Sequence, residues 1–113
     1  MGVDLCGKGT ASLNWDAWRS CLNVAQLFGW APMETLPPAD YPVDWRGSYY
    51  FNECQTVSAP DARALASALF RAVDAVRGNQ RLTIKQAAAL SEASLDMMVE
   101  LADLARKGAF RIY

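Results

Sequence analysis

The sequence predicts an α+β fold, mostly α, with three or four helices packed on a small antiparallel sheet. The sheet is expected from a hairpin near residues 48–57, with the terminal segments as further candidate strands. Three observations carry this reading. Two long segments repeat apolar residues at the helical period behind good capping residues; a third, near the C-terminus, does so with an interruption; and aromatic and β-branched residues otherwise cluster in short runs bounded by turn formers. A chain of 113 residues can bury one core but not two, so it reads as a single domain, 1–113. Its 52% hydrophobic and 20% charged residues give a globular balance.

Taken in order, "MGVDLCGKGT" opens with a short edge strand, Val3 to Cys6, followed by a glycine turn. Asp4 lies inside that apolar start and needs a partner such as an arginine if the strand is buried. In "NWDAWRSCLNVAQLFGWAP", Asn14 can cap a helix and Asp16 complements its dipole. Trp15, Trp18, Cys21, Leu22, Ala25 and Phe28 fall on one side, with Asp16, Arg19, Asn23 and Gln26 on the other. Gly29 suits the left-handed position after the helix, Trp30 can fold back on Ala25, and Pro32 prevents continuation.

Residues 31–47 hold four prolines and no periodicity, yet carry Met33, Leu36, Tyr41, Val43 and Trp45, which predicts an extended wrap along the body. "GSYYFNECQTVS" then reads as the short hairpin. In the next helix Ser58 caps, Pro60 fits the first turn and Asp61 completes an S-x-x-D box. Ala62, Leu65, Ala66, Leu69, Val73 and Val76 make its apolar stripe, Arg63, Ser67, Arg71 and Asp74 its wet one, and Gly78-Asn79 its end. Thr83 and Gln86 form a second box, and the serines at 91 and 94 divide the C-terminal third into helices at roughly 84–90 and 92–107. Phe110 to Tyr113 can close the sheet beside the hairpin or beside residues 2–6.

Composition narrows the chemistry. The chain has no histidine, which removes Ser-His-Asp and Cys-His catalysis and His-ligated zinc. Cys6, Cys21 and Cys54 are odd in number without a C-x-x-C pair, and read as free thiols in a reducing cytoplasm. No metal site and no cofactor is expected. A net charge of −1 gives no overall pull toward nucleic acid or anionic lipid. No apolar run approaches the roughly 18 residues of a membrane span, and the start lacks the pattern of a signal peptide.

Several stretches invite a functional reading. Gly2, Gly7 and Lys8 fit a Walker A loop, but Gly9 occupies the hydroxyl position, Thr10 comes one step late, and neither a strand before the loop nor a downstream magnesium carboxylate is evident. "LTIKQAAALSEASLDMMVEL" has the texture of a helix-turn-helix, but its second helix would offer Asp96, Glu100 and Asp103 to DNA phosphates, so nucleic acid is disfavoured. Glu92, Asp96, Glu100 and Asp103 follow i, i+4, i+8, i+11 and share one helical face, relieved only by Lys107. The ordinary reading is a solvated face; the sharper one is a docking surface for a basic protein.

On the same helix, Met97, Leu101 and Leu104 lie beside the Leu95-Met98-Val99-Ala102 stripe, which predicts a helix sandwiched in the core. Ala64, Ala68, Ala72 and Ala75 form a small-residue strip on the helix before, which admits close approach of another helix. Tyr41, Trp45, Tyr49 and Tyr50 sit with Arg46 in the loop and hairpin, a mixture favoured at binding hot spots, although core packing or loop pinning is the more ordinary reading.

The order of "MGVDLCGKG", "NWDAWRSCLNVAQLFGWAP", "WRGSYYFNECQTVSAPDARALASALFRAV" and "RKGAFRIY" resembles a family of small uncharacterised bacterial and phage proteins. That family combines M-G-x-D-x-x-G, W-x-x-x-L-x-x-A-x-x-x-G-W-x-P, an N-x-x-Q-x-V segment before a D-A-x-A-L-A helix, and a late G-x-F. The resemblance covers most of the chain and implies a shared fold and a cytoplasmic setting; it supplies no activity. The function expected is therefore a non-catalytic protein-interaction module, of the inhibitor, immunity or anti-defence type. Its partner would be a protein with a basic surface, or a second copy of the chain in a homodimer. The rivals are a small carboxylate-dependent enzyme using Arg46, and a DNA-binding regulator using residues 82–107.

Overall fold

The computed structural model describes residues 2–33, 35, 36, 49, 50 and 54–113. Strands β1 (Gly2–Cys6) and β2 (Thr10–Asn14) form a hairpin, and β2 runs into helix α1 (Trp15–Leu27). Two short strands, β3 (Thr35–Leu36) and β4 (Thr56–Val57), precede helix α2 (Ala59–Arg77). Helices α3 (Ile84–Ser91) and α4 (Leu95–Ala105) come next, and β5 (Phe110–Ile112) is last. The result is the α+β, mostly α, architecture that the periodicities predict.

The sheet is antiparallel throughout, in the order β2-β1-β5-β4-β3. Phe110 to Tyr113 takes both positions the sequence allowed: β5 pairs with β1 through Leu5 and Cys6, and with β4 through Thr56 and Val57. Tyr113 N–H and C=O exchange hydrogen bonds with Asp4 at 2.7 and 3.1 Å. β1 is thus an interior strand, and the edge on that side is β2. That strand was not expected: its Ala11 and Leu13 alternate inward, but the signal is short and low in β-branched residues. Of the hairpin expected near 48–57, the described part is corrected. Thr56–Val57 is a strand, but it pairs with Thr35–Leu36 and with β5, while Tyr49 and Tyr50 belong to no strand. Residues 48 and 51–53 lie outside the described residues.

One face of the sheet carries the core. Val3 and Leu5, Ala11 and Leu13, and Phe110 and Ile112 point into it, and Asp4, Cys6, Thr10, Ser12 and Arg111 point to solvent. Asp4 accordingly needs no arginine. It sits on the open face and accepts from Ser12 Oγ of the paired strand at 2.8 Å.

α1 begins where expected, with Asn14 Oδ1 accepting from Ala17 N–H at 2.7 Å. It ends in a Schellman motif: Gly29 has φ +99°, and Trp30 N–H reaches Ala25 C=O at 2.9 Å. Trp18, Cys21, Leu22, Val24 and Ala25 are buried, and Trp15 and Phe28 partly so. α2 has its most extensive helix contact with α4, and then with α1. Two such neighbours bury a wide arc, so Ala68, Ala72 and Ala75 of the small-residue strip lie inside and only Ala64 is exposed. α4 is sandwiched as predicted, with Met98, Leu101, Ala102, Leu104 and Ala105 buried.

The α3–α4 boundary shifts slightly. Ser91 Oγ turns back to Ala88 C=O at 2.6 Å, and Ser94 caps the next helix. Gln86 completes the capping box with Thr83 and also donates to Leu27 C=O at 3.1 Å, tying α3 to the end of α1.

Candidate interaction surface

Three of the four carboxylates singled out from the sequence stand together. Asp96, Glu100 and Asp103 are exposed on α4, at its first, second and third turns, opposite the side locked into the core. Glu92 does not belong to this helix. It is the C-cap residue of α3, separated from α4 by Ala93 and Ser94, so the row of four breaks into three and one. Asp103 accepts from Arg106 Nε at 3.2 Å, and both side chains are more than half exposed. Such a pair adds little stability and leaves the acidic face largely uncompensated.

Tyr49 is not a surface residue. It is 4% exposed, stacks on Trp30 at 5.8 Å between ring centres, and donates its O–H to Asp61 Oδ2 at 2.7 Å. Tyr41, Trp45 and Arg46 lie outside the described residues.

Around Tyr49 the structure assembles a buried polar knot. Trp18 Nε1–H donates to Tyr49 C=O at 2.9 Å, Trp30 Nε1–H to Asp61 C=O at 3.1 Å, and Met33 N–H to Asp61 Oδ1 at 2.9 Å. Asp61 was expected at the mouth of α2 as a capping-box residue. Its N–H does bond Ser58 Oγ at 3.3 Å, but its carboxylate, 2% exposed, also receives Tyr49 and the segment that leaves α1. Burial, and then the Asp61 carboxylate, push the Tyr49 hydroxyl well above its ordinary pKa. Of the wrap expected over 31–47, residues 34 and 37–47 lie outside the described residues; the knot fastens Met33 and Tyr49 to the start of α2. The sequence carried a signal for it in the tryptophans, whose ring N–H groups demand acceptors when buried.

Gly2 belongs to β1, and Gly7 and Gly9 lie in the turn between β1 and β2. The chain passes from Lys8 and Gly9 into a strand, not into a helix, so their amides do not converge at a helix N-terminus as a phosphate cradle requires. Gly7 serves packing: a Cβ there would lie 2.7 Å from Ala109 C=O and 2.9 Å from Phe110 Cβ. Cys6 and Cys54 are exposed, Cys21 is buried, and all three are free. Among the described residues, no group of three or more Cys, Asp or Glu side chains is placed to hold a metal ion, and no helix is long and apolar enough to cross a membrane.

A groove of about 450 Å³ runs between α1 and α3. Asn23, Gln26 and Leu27 form one wall, and Lys85, Ala88, Ala89 and Glu92 form the other. Of these residues only Glu92 stood out as a candidate in the sequence. The groove depends on how two helices distant in sequence lie together, which the Gln86 bond to Leu27 fixes.

Compared with protein-family models, with curated proteins and with solved structures, the chain matches none. The resemblance drawn from its motifs therefore rests on those residues alone.

Proposed function

We propose that the protein is a non-catalytic binding module that docks the outward face of α4 on a basic protein surface, acting by occupation as inhibitors of the immunity or anti-defence type do. The observation that supports this reading is the placement of Asp96, Glu100 and Asp103. They are exposed at successive turns of a helix whose other sides are held by five buried residues, so the charges are presented on a rigid support. A fixed row of carboxylates favours a cationic partner and steers its approach. The same row would repel DNA phosphates, which counts against the regulator reading. Three free thiols accord with a cytoplasmic setting.

The test compares the wild type with D96N/E100Q/D103N as baits in a lysate of the source organism. The expected result is a protein retained by the wild type, released by salt at about 0.5 M, where the Debye length falls to a few ångströms, and absent with the neutralised bait. Equal retention by both baits, or none by either, would sink the proposal. Thermal unfolding of the variant checks that the fold is intact.

A further inference from the structure

We propose that α3 is a self-association surface, on which a second copy of this chain lies antiparallel across the α1–α3 groove. Lys85, Ala88, Ala89 and Glu92 follow i, i+3, i+4, i+7 and so share one face, and all four line the groove. This face is its own complement. A two-fold axis passing between Ala88 and Ala89 places Lys85 opposite Glu92 of the second copy and Glu92 opposite Lys85 of the second copy. Isologous pairing of this kind is what a closed dimer requires. The residues nearest the axis are alanines, which let two helices approach closely.

Two further observations point the same way. The charges stand against the local preference of the helix: Lys85 is in the first turn of α3 and Glu92 is at its C-cap, each the wrong sign for the macrodipole at that end. Neither side chain has a hydrogen-bond or ion-pair partner among the described residues, so nothing within the described chain compensates for that placement. Among the described helices α3 is also the one with no buried residue, although it carries Ile84, which is 90% exposed one turn before Ala88. A copy seated along the groove would cover Ala88, Ala89 and Leu27 and place a counter-charge beside each misplaced charge.

The experiment is sedimentation equilibrium of the purified full chain at low salt, for the wild type, K85E, E92K and K85E/E92K. The wild type is expected to show a reversible monomer–dimer equilibrium with a Kd between about 1 µM and 1 mM, the range of a small interface with exposed ion pairs. Each single reversal creates two like-charge oppositions across the axis and is expected to weaken the dimer roughly tenfold. The double reversal restores complementarity and is expected to return the wild-type constant. Because both reversals suit the helix dipole, the variants are expected to keep the wild-type far-UV circular dichroism. A wild type that stays monomeric over this range, single reversals without effect, or a double variant that fails to recover would each overturn the proposal. The measurement uses no other protein and leaves the α4 carboxylates in place, so its outcome is separable from that of the capture experiment.

Discussion

Cys21 shows how burial decides the behaviour of a residue. The thiol is 1% exposed, and burial raises its pKa from 9.0 to about 12, so the folded state holds it neutral where the unfolded state would ionise it. A raised pKa gives stability that is complete below the unfolded value and is lost as pH climbs toward the folded one. The Cys21 contribution should therefore be complete well below pH 9.0 and be lost from there toward about 12. Tyr49, raised in the same direction, adds a second decline that starts near its ordinary value of 10.0. In Cys21→Ala the small cavity is expected to cost about 1 kcal/mol at neutral pH. The wild type's advantage should shrink above pH 9 and be gone or reversed by pH 11, because the variant has no buried thiol to ionise and each pH unit is worth about 1.4 kcal/mol. Urea midpoints at pH 7, 9, 10 and 11 check this, and a wild-type advantage that stays constant or grows would contradict it. That Cys21 is core was legible from its place in the Trp18–Leu22–Ala25 stripe. That Asp61 would be buried and serve Tyr49 and Met33 was not, because a capping pattern describes only residues a few positions apart.

At the scale of elements, capping chemistry was the most legible feature, since it depends on neighbours in sequence. Asn14, Ser58 and Thr83 cap as side-chain acceptors where expected, and Gly29 takes the left-handed conformation, whereas Ser94 moves the start of α4 to Leu95 from the expected 92. The end of α2 is a finer case. Gly78 has φ −85°, and it is Asn79, at φ +51°, that occupies the left-handed position while Gln80 N–H closes on Ala75 C=O at 2.9 Å. The two helix ends thus predict opposite outcomes. Gly29→Ala should destabilise by about 1–2 kcal/mol, because an L side chain resists this conformation. Its Cβ would also lie 3.2 Å from Arg71 Nη2, which donates to Phe28 C=O at 2.7 Å. Asn79→Gly should stabilise by roughly 0.5 kcal/mol, the relief outweighing the entropy of a freer unfolded chain. Thermal midpoints measure both, and equal signs for the two would refute the assignment. Strand pairing was less legible. The run "GSYYFNECQTVS" suggested a local hairpin, whereas β4 finds its partners in β3 and in β5, distant in the chain. The groove was invisible for the same reason.

For the whole molecule, the decisive feature is that the last strand lies in the middle of the sheet. β5 joins the β1–β2 hairpin to β4 and β3, so among the described strands the two halves of the sheet are linked through Phe110–Ile112. Phe110 and Ile112 are 1% and 0% exposed and enter the same core as Trp18, Leu65 and Met98. Phe110→Ala is therefore expected to cost about 3–5 kcal/mol, a large share of the roughly 5–15 kcal/mol that holds a domain together. The loss should also be felt everywhere at once. Tryptophan fluorescence, which reads Trp18 and Trp30 beside the polar knot, and far-UV circular dichroism, which reads the helices, should shift to the same lower urea midpoint with unchanged slopes. Were the hairpin and α1 a unit independent of β4 and α2, the variant would instead unfold in two stages, with the two probes parting. The direct packing of α1 on α2, and the Trp30 bond that joins the end of one to the start of the other, argue for the single transition.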